Sequence, residues 1–162
     1  MLTRYLLLAF LTAITSLTMA AAPGNPTCAT NIDGKVICAP PGGQAITDRL
    51  GQVVTGAGEC ATDSLGIVKC ADTPGGGAAV NMLGEVVTGK GKCLANQFGK
   101  VKCANTPGGG AAIDNLGEIK TGPGECIRDA FGKVMCSSLP NGGAALDQYG
   151  TAVCSGGCVA GQ

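Results

Sequence analysis

Residues 60–70 read CATDSLGIVKC, and this eleven-residue unit decides the fold because it recurs along the chain. Related units with a cysteine at each end begin at residues 28, 93 and 126, so successive copies are 32, 33 and 33 residues apart. A second version, with Ala for the first cysteine and usually Thr for the second, occupies 45–55, 78–88, 111–121 and 144–154. The chain therefore contains eight copies of one module, as in repeat architectures.

Each module is centred on a turn. In the unit at 60–70, Asp63 is followed two residues later by Leu65 and then by Gly66. Asp or Asn opens a type I turn, and Gly takes the left-handed position after it, which gives a three-residue hairpin loop with a bulge. Counting outward from this loop places Cys60 opposite Cys70 at a non-hydrogen-bonded pair, where antiparallel side chains come closest. That position suits a cross-strand disulfide.

The same counting predicts one local disulfide in each cysteine-ended module. A fifth bridge is predicted near residue 154, because Cys154 faces Ala144 and its nearest available partner is Cys158. The predicted pairs are Cys28–Cys38, Cys60–Cys70, Cys93–Cys103, Cys126–Cys136 and Cys154–Cys158. Each larger ring stabilises the fold by roughly 2.8 kcal/mol in a chain-entropy treatment, and the set by on the order of 10 kcal/mol, comparable to the net stability of an ordinary domain.

Side chains separate by face along the predicted strands, as in half-buried sheets. The position two before the second cysteine is apolar throughout: Val36, Val53, Val68, Val86, Val101, Ile119, Val134 and Ala152. The residue after the turn glycine is mostly polar, which predicts a solvated position: Lys35, Gln52, Ile67, Glu85, Lys100, Glu118, Lys133 and Thr151. The third turn position is apolar in all modules but the first, which has Asp33: Leu50, Leu65, Leu83, Phe98, Leu116, Phe131 and Tyr149. We expect these seven side chains to be buried against neighbouring modules.

These patterns predict an all-β protein, a tandem array of about eight short hairpins with a period of about 33 residues per pair. Because an isolated hairpin is marginal in water, the hairpins must stack, as an elongated solenoid or ribbon. The alternative is a small propeller, in which each pair of hairpins forms a four-stranded blade and four blades close. The scarcity of aromatic residues, 3% of the chain, disfavours closure.

The N-terminal segment has the features of an export signal. Arg4 precedes an apolar run over residues 5–17, and small residues around Ala20 form a cleavage site, which predicts a signal peptide at 1–20. A short linker at 21–27 and a repeat domain at 28–162 follow. The alternative, an uncleaved membrane anchor, needs about 20 apolar residues, and this run is shorter. Together with ten cysteines, the signal predicts a secreted or periplasmic protein with no membrane contact after cleavage.

Few groups in the sequence could carry out chemistry. The chain has no His, which removes the usual general base, and cysteines ten residues apart do not match zinc-ligand spacing. Residues 84–90 read GEVVTGK, but Gly91 replaces the Ser or Thr that a phosphate-binding loop requires. Calcium binding by the turn aspartates is disfavoured, because three modules have Asn in the same position: Asn31, Asn81 and Asn96. We therefore predict no catalytic, metal-binding or cofactor-binding residue, and no enzyme activity.

The mature chain carries ten Lys or Arg against eleven Asp or Glu, so nothing favours nucleic acid. Four lysines, at 69, 100, 102 and 133, could form a weak basic stripe, although a solvated face explains them. We expect an exported structural or scaffold protein of the cell envelope, surface or extracellular matrix. The alternative is a binding module for a glycan or protein; a hydrolase that uses carboxylates alone is disfavoured. The partner is not predicted, beyond an envelope or extracellular molecule or self-association.

Overall fold

The computed structural model describes residues 27–162, so the predicted signal peptide and most of the predicted linker lie outside the described residues. The described chain is all-β: sixteen of its seventeen short strands form eight hairpins, and no helix occurs in this part of the chain. The hairpins, numbered 1 to 8 in chain order, are β1 (Cys28–Thr30) with β2 (Val36–Cys38), β3 (Gln44–Thr47) with β4 (Val53–Gly56), β5 (Cys60–Thr62) with β6 (Val68–Cys70), β7 (Ala78–Val80) with β8 (Val86–Thr88), β9 (Cys93–Ala95) with β10 (Val101–Cys103), β11 (Gly110–Ile113) with β12 (Ile119–Gly122), β13 (Cys126–Arg128) with β14 (Val134–Ser137), and β15 (Ala144–Leu146) with β16 (Ala152–Cys154). The last strand, β17, is Cys158–Ala160.

Hairpin 3 illustrates the local geometry. The backbone N–H of Asp63 donates to the carbonyl of Ile67 at 2.9 Å, and the N–H of Gly66 donates to the carbonyl of Asp63 at 3.0 Å. Gly66 has φ +82°, the left-handed region that favours glycine. The antiparallel register pairs Cys60 with Cys70, as the turn chemistry predicts.

Consecutive hairpins are joined at their turns by backbone hydrogen bonds. In six of the seven steps, the residue after the turn Asp or Asn donates its N–H to the carbonyl of the turn glycine in the next hairpin. These bonds run from Ile32 to Gly51, Arg49 to Gly66, Ser64 to Gly84, Met82 to Gly99, Asn115 to Gly132 and Ala130 to Gly150, at 2.8–3.2 Å. Between hairpins 5 and 6 the side-chain amide of Asn96 donates to the carbonyl of Gly117 instead, at 3.0 Å.

The opposite end of the array is bonded in a similar way. We call a hairpin stapled when a disulfide joins its two strands and unstapled when it has none. The residue before the first cysteine of a stapled hairpin donates its N–H to the carbonyl of a glycine in the connector that follows, from Glu59 to Gly76, from Lys92 to Gly109 and from Glu125 to Gly142, each at 2.8 Å. Both ends of every interior hairpin are therefore held by the main chain. The hairpins remain separate two-stranded sheets that contact mainly their chain neighbours, with β17 added to hairpin 7. The four-stranded blades of the propeller alternative do not form in residues 27–162.

The core is thin and built from small side chains. Its members are Ala39, Ala45, Val68, Ala71, Val86, Cys93, Ala104, Ala111, Ile119, Val134 and Cys136. The predicted apolar strand position is buried in four hairpins, half-buried in three and exposed in the first, where Val36 is 62% exposed. The buried residues are Val68, Val86, Ile119 and Val134, and the half-buried ones are Val53, Val101 and Ala152. The residues after the turn glycine are exposed, as predicted.

Each unstapled hairpin that precedes a stapled one ends in a glycine for a steric reason. The glycine that ends the second strand of an unstapled hairpin, or directly follows it, lies against the disulfide of the next hairpin: Gly56 against Cys70, Gly89 against Cys103 and Gly122 against Cys136. A Cβ at any of these glycines would lie only 2.2–2.4 Å from the Cβ of that cysteine, which is too close for two carbon atoms. Each stapled hairpin after the first therefore needs a glycine at the end of the preceding hairpin, and Gly56, Gly89 and Gly122 meet this requirement.

Beyond hairpin 8 the chain turns back, which the sequence did not predict. The Cys154–Cys158 bridge closes a tight turn, and β17 pairs antiparallel with the free edge of β14, Val159 opposite Cys136. Gln162 then exchanges two backbone hydrogen bonds of 2.9 Å with Thr121 of β12. This strand covers one edge of hairpin 7 and explains why Cys136 is fully buried.

Candidate functional site

The disulfides are the clearest chemical feature of the molecule. Five are present, they join the cysteines that the sequence analysis pairs, and no cysteine is free: Cys28–Cys38, Cys60–Cys70, Cys93–Cys103, Cys126–Cys136 and Cys154–Cys158. Exposure differs along the array, because Cys28 and Cys38 are both exposed whereas Cys136 is completely buried. Their chemistry here is that of local crosslinks, each within one hairpin or one turn.

The turn aspartates accept hydrogen bonds from backbone N–H groups of their own turns. Asp63 Oδ1 accepts hydrogen bonds from the N–H groups of Leu65 at 2.9 Å and Ile67 at 2.8 Å. Asn81 accepts the two equivalent bonds in hairpin 4, so a negative charge is not needed at this position. Within residues 27–162, no three His, Cys, Asp or Glu side chains lie close enough together to hold a metal ion. The aspartates have a structural task that accounts for their spacing.

The glycine-rich segments are used by the fold. The segment 84–90 begins in the turn of hairpin 4 and continues through strand β8, so it does not form a phosphate-binding loop. In the connector at 75–77, the N–H of Gly76 donates to the carbonyl of Thr73, and the N–H of Gly77 to the carbonyl of Gly91, both at 2.8 Å. These N–H groups are therefore not free to bind an anion.

A groove of about 550 Å³ lies between hairpins 5 and 6, where the turn-to-turn backbone bond is missing. Phe98, Leu116 and three lysines are among its lining residues. The lysines are partly engaged: Lys120 Nζ lies 2.7 Å from Glu118 Oε2, which raises the pKa of Lys120, and Lys102 Nζ donates to the carbonyl of Gln162 at 2.8 Å. Of the four lysines in the predicted stripe, only Lys100 and Lys102 line this groove.

The third turn position contradicts the sequence-based expectation. Its seven apolar side chains are exposed rather than buried, and we call them the turn ridge: Leu50, Leu65, Leu83, Phe98, Leu116, Phe131 and Tyr149, each 65–81% exposed. The cause is the close approach of consecutive turns. Each turn lies directly against the preceding one, as Gly66 lies against the side chain of Arg49, so no space is left between the two turns. The side chain at the third turn position therefore projects into solvent. All three aromatic side chains of the described residues, Phe98, Phe131 and Tyr149, are thus exposed on the turn ridge.

Comparison with protein-family models, with curated proteins and with solved structures finds no match. In residues 27–162 no helix is long and apolar enough to cross a membrane. Two features of the described residues bear on a function: the series of local crosslinks and the turn ridge.

Proposed function

We propose that this chain is an exported structural protein, a disulfide-crosslinked scaffold of the cell envelope, surface or extracellular matrix. The observation that carries the proposal is the combination of five local disulfides with main-chain hydrogen bonds at both ends of the hairpins. A fold held in this way does not depend on a thick core. It is suited to rigidity and to resistance against proteases.

The oxidised state of the cysteines supports an exported location. Five disulfides are typical of proteins that fold in an oxidising compartment, outside the cell or in the periplasm. The apolar segment at 5–17, with small residues around Ala20, supplies the matching export signal.

Scattering and proteolysis together test the scaffold. Small-angle scattering on the exported protein should give a radius of gyration clearly above the value of about 14 Å for a compact domain of about 140 residues. Thermolysin should leave the oxidised chain intact and degrade the reduced, alkylated chain. A compact scattering profile, or rapid cleavage of the oxidised protein, would exclude the rigid scaffold.

The alternative proposal is a binding module for a glycan or protein partner, and the turn ridge favours it. Exposed apolar surface of this extent marks interaction sites on most soluble proteins. Affinity capture from the envelope of the producing cell separates the two roles. A scaffold should retain mainly its own chain, whereas a binding module should retain one partner in stoichiometric amount, and its capture should fail when Phe98 and Phe131 are changed to serine.

A further inference from the structure

The turn ridge is large enough to form a specific interface. Each of its seven side chains is 65–81% exposed. At roughly 150 Å² for a large apolar side chain, the ridge exposes on the order of 750 Å², close to the roughly 800 Å² that each partner buries in a complex of standard size. Isolated monomers rarely expose apolar patches of this size without a partner.

The ridge is also rigid before any partner arrives. Each turn is fixed internally by its Asp or Asn, as Asp63 fixes the N–H groups of Leu65 and Ile67. Hydrogen bonds between consecutive turns fix each turn to the next. Binding therefore orders little main chain, and the entropic cost of association is reduced.

We propose that the ridge binds the ridge of a second copy of this chain in antiparallel orientation. The twofold axis passes between hairpins 4 and 5, so that hairpin 4 faces hairpin 5 of the second copy and hairpin 1 faces hairpin 8. Such a contact uses the same surface on both copies and closes on itself, as in most homodimers.

The apolar side chains match in this register. Leu83 faces Phe98 of the second copy, Leu65 faces Leu116, and Leu50 faces Phe131, so each of these six positions meets an apolar partner. In hairpin 1 the third turn position is Asp33, outside the ridge, and in this register it faces Tyr149, the one ridge side chain with a hydroxyl that can donate to a carboxylate.

The charges beside the ridge select the same register. The exposed residue after the turn glycine is Glu85 in hairpin 4 and Lys100 in hairpin 5, so opposite charges meet at the twofold axis. A parallel arrangement would place Glu85 on Glu85 and Lys100 on Lys100. An antiparallel arrangement shifted by one hairpin would place Glu85 on Glu118 and Lys100 on itself. Because like charges placed opposite each other disfavour association, both alternatives are selected against.

This inference goes beyond the scaffold role, since a binding module could pair in the same way. The scaffold proposal and the dimer proposal can be tested separately. A monomeric protein that still resists proteases and scatters as an elongated particle would exclude the dimer but would agree with the scaffold role.

Sedimentation equilibrium of the exported, disulfide-bonded protein across about 1–200 µM tests the dimer. Leu83→Ser with Phe98→Ser should weaken self-association by at least about tenfold, because both side chains lie at the axis. Val153→Ser is the matched control: Val153 is 58% exposed but lies on a strand away from the turns, so its loss should leave association unchanged. A free-thiol assay verifies that each variant is fully oxidised.

Charge exchange tests the register without removing apolar surface. Glu85→Lys and Lys100→Glu, each alone, place like charges twice across the interface and should each weaken the dimer. Mixing the two variants restores both ion pairs and should give a heterodimer with nearly the original affinity. A protein that stays monomeric at every concentration, a dimer insensitive to the Leu83 and Phe98 changes, or a mixture that fails to recover would overturn the proposal. Ridge-dependent sedimentation with phosphatidylcholine vesicles by a monomeric protein would assign the ridge to lipid and overturn it too.

Discussion

Gly89 lies directly against Cys103, and a Cβ on Gly89 would fall well inside the 3.0 Å below which real Cβ contacts are not found. Gly89 belongs to an unstapled hairpin and Cys103 to the disulfide of the next one. This contact explains why the unstapled hairpin is followed by a glycine, because a side chain at this position would overlap Cys103.

Gly89→Ala should lower the free energy of unfolding by about 1–3 kcal/mol, the usual cost of forcing a methyl group into a packed site. Gly143→Ala is the control, since a Cβ there meets only ordinary contacts at 3.8 and 3.9 Å. That variant should be as stable as the parent or slightly more stable. Thermal unfolding of the oxidised proteins compares them, and equal stability of the two variants would show that the glycine contact does not set the stacking.

The close stacking of consecutive turns is tested by two glycines with nearly the same backbone conformation. Gly34 has φ +79° and Gly66 has φ +82°, so an alanine substitution introduces about the same backbone strain at either position. A Cβ on Gly66 would lie 2.6 Å from the Cβ of Arg49, whereas a Cβ on Gly34 meets nothing within 4 Å. Gly66→Ala should therefore be the more destabilising of the two in chemical denaturation, and equal losses would count against close turn stacking.

The turn carboxylates are expected to act as hydrogen-bond acceptors and not as charges. Asp63→Asn should leave stability within about 0.5 kcal/mol of the parent, because Asn81 accepts the same two backbone bonds in hairpin 4. Asp63→Ala removes both acceptor bonds and should cost about 1–2 kcal/mol. Denaturation with and without added calcium completes the test. A larger loss for Asn than for Ala, or stabilisation by calcium that Asp63→Asn abolishes, would contradict a purely structural role.

The disulfides should be reduced in an order set by access, since a reductant must reach a sulfur atom. Cys28–Cys38 is exposed and should open first, whereas Cys126–Cys136 should resist longest because β17 covers Cys136. Limiting reductant followed by alkylation and peptide mass analysis gives the order. Replacing Cys154 and Cys158 together by serine should release β17 and accelerate reduction of Cys126–Cys136 only. Unchanged protection of that bridge would mean that β17 does not shield it.

The sequence was sufficient for whatever is decided within one hairpin. The Asp-x-x-Gly turn fixes the register, and the register places Cys60 opposite Cys70 without reference to any other part of the chain. The exposure of Leu65 was mispredicted because it depends on how closely consecutive turns approach, and an apolar residue in a loop gives no sign of that distance. The pairing of β17 with β14 was missed for a related reason, since Val159 lies in a three-residue strand with no periodic pattern to identify its partner.

The central claim is that this chain is a series of locally crosslinked hairpins, and non-reducing peptide mapping of the protein isolated without reductant tests it most directly. Cleavage between the cysteine pairs, with mass analysis before and after reduction, should recover five bridges, each within its own hairpin or terminal turn, and no free thiol. A bridge that joins two different hairpins, or an unpaired cysteine in the isolated protein, would contradict the account.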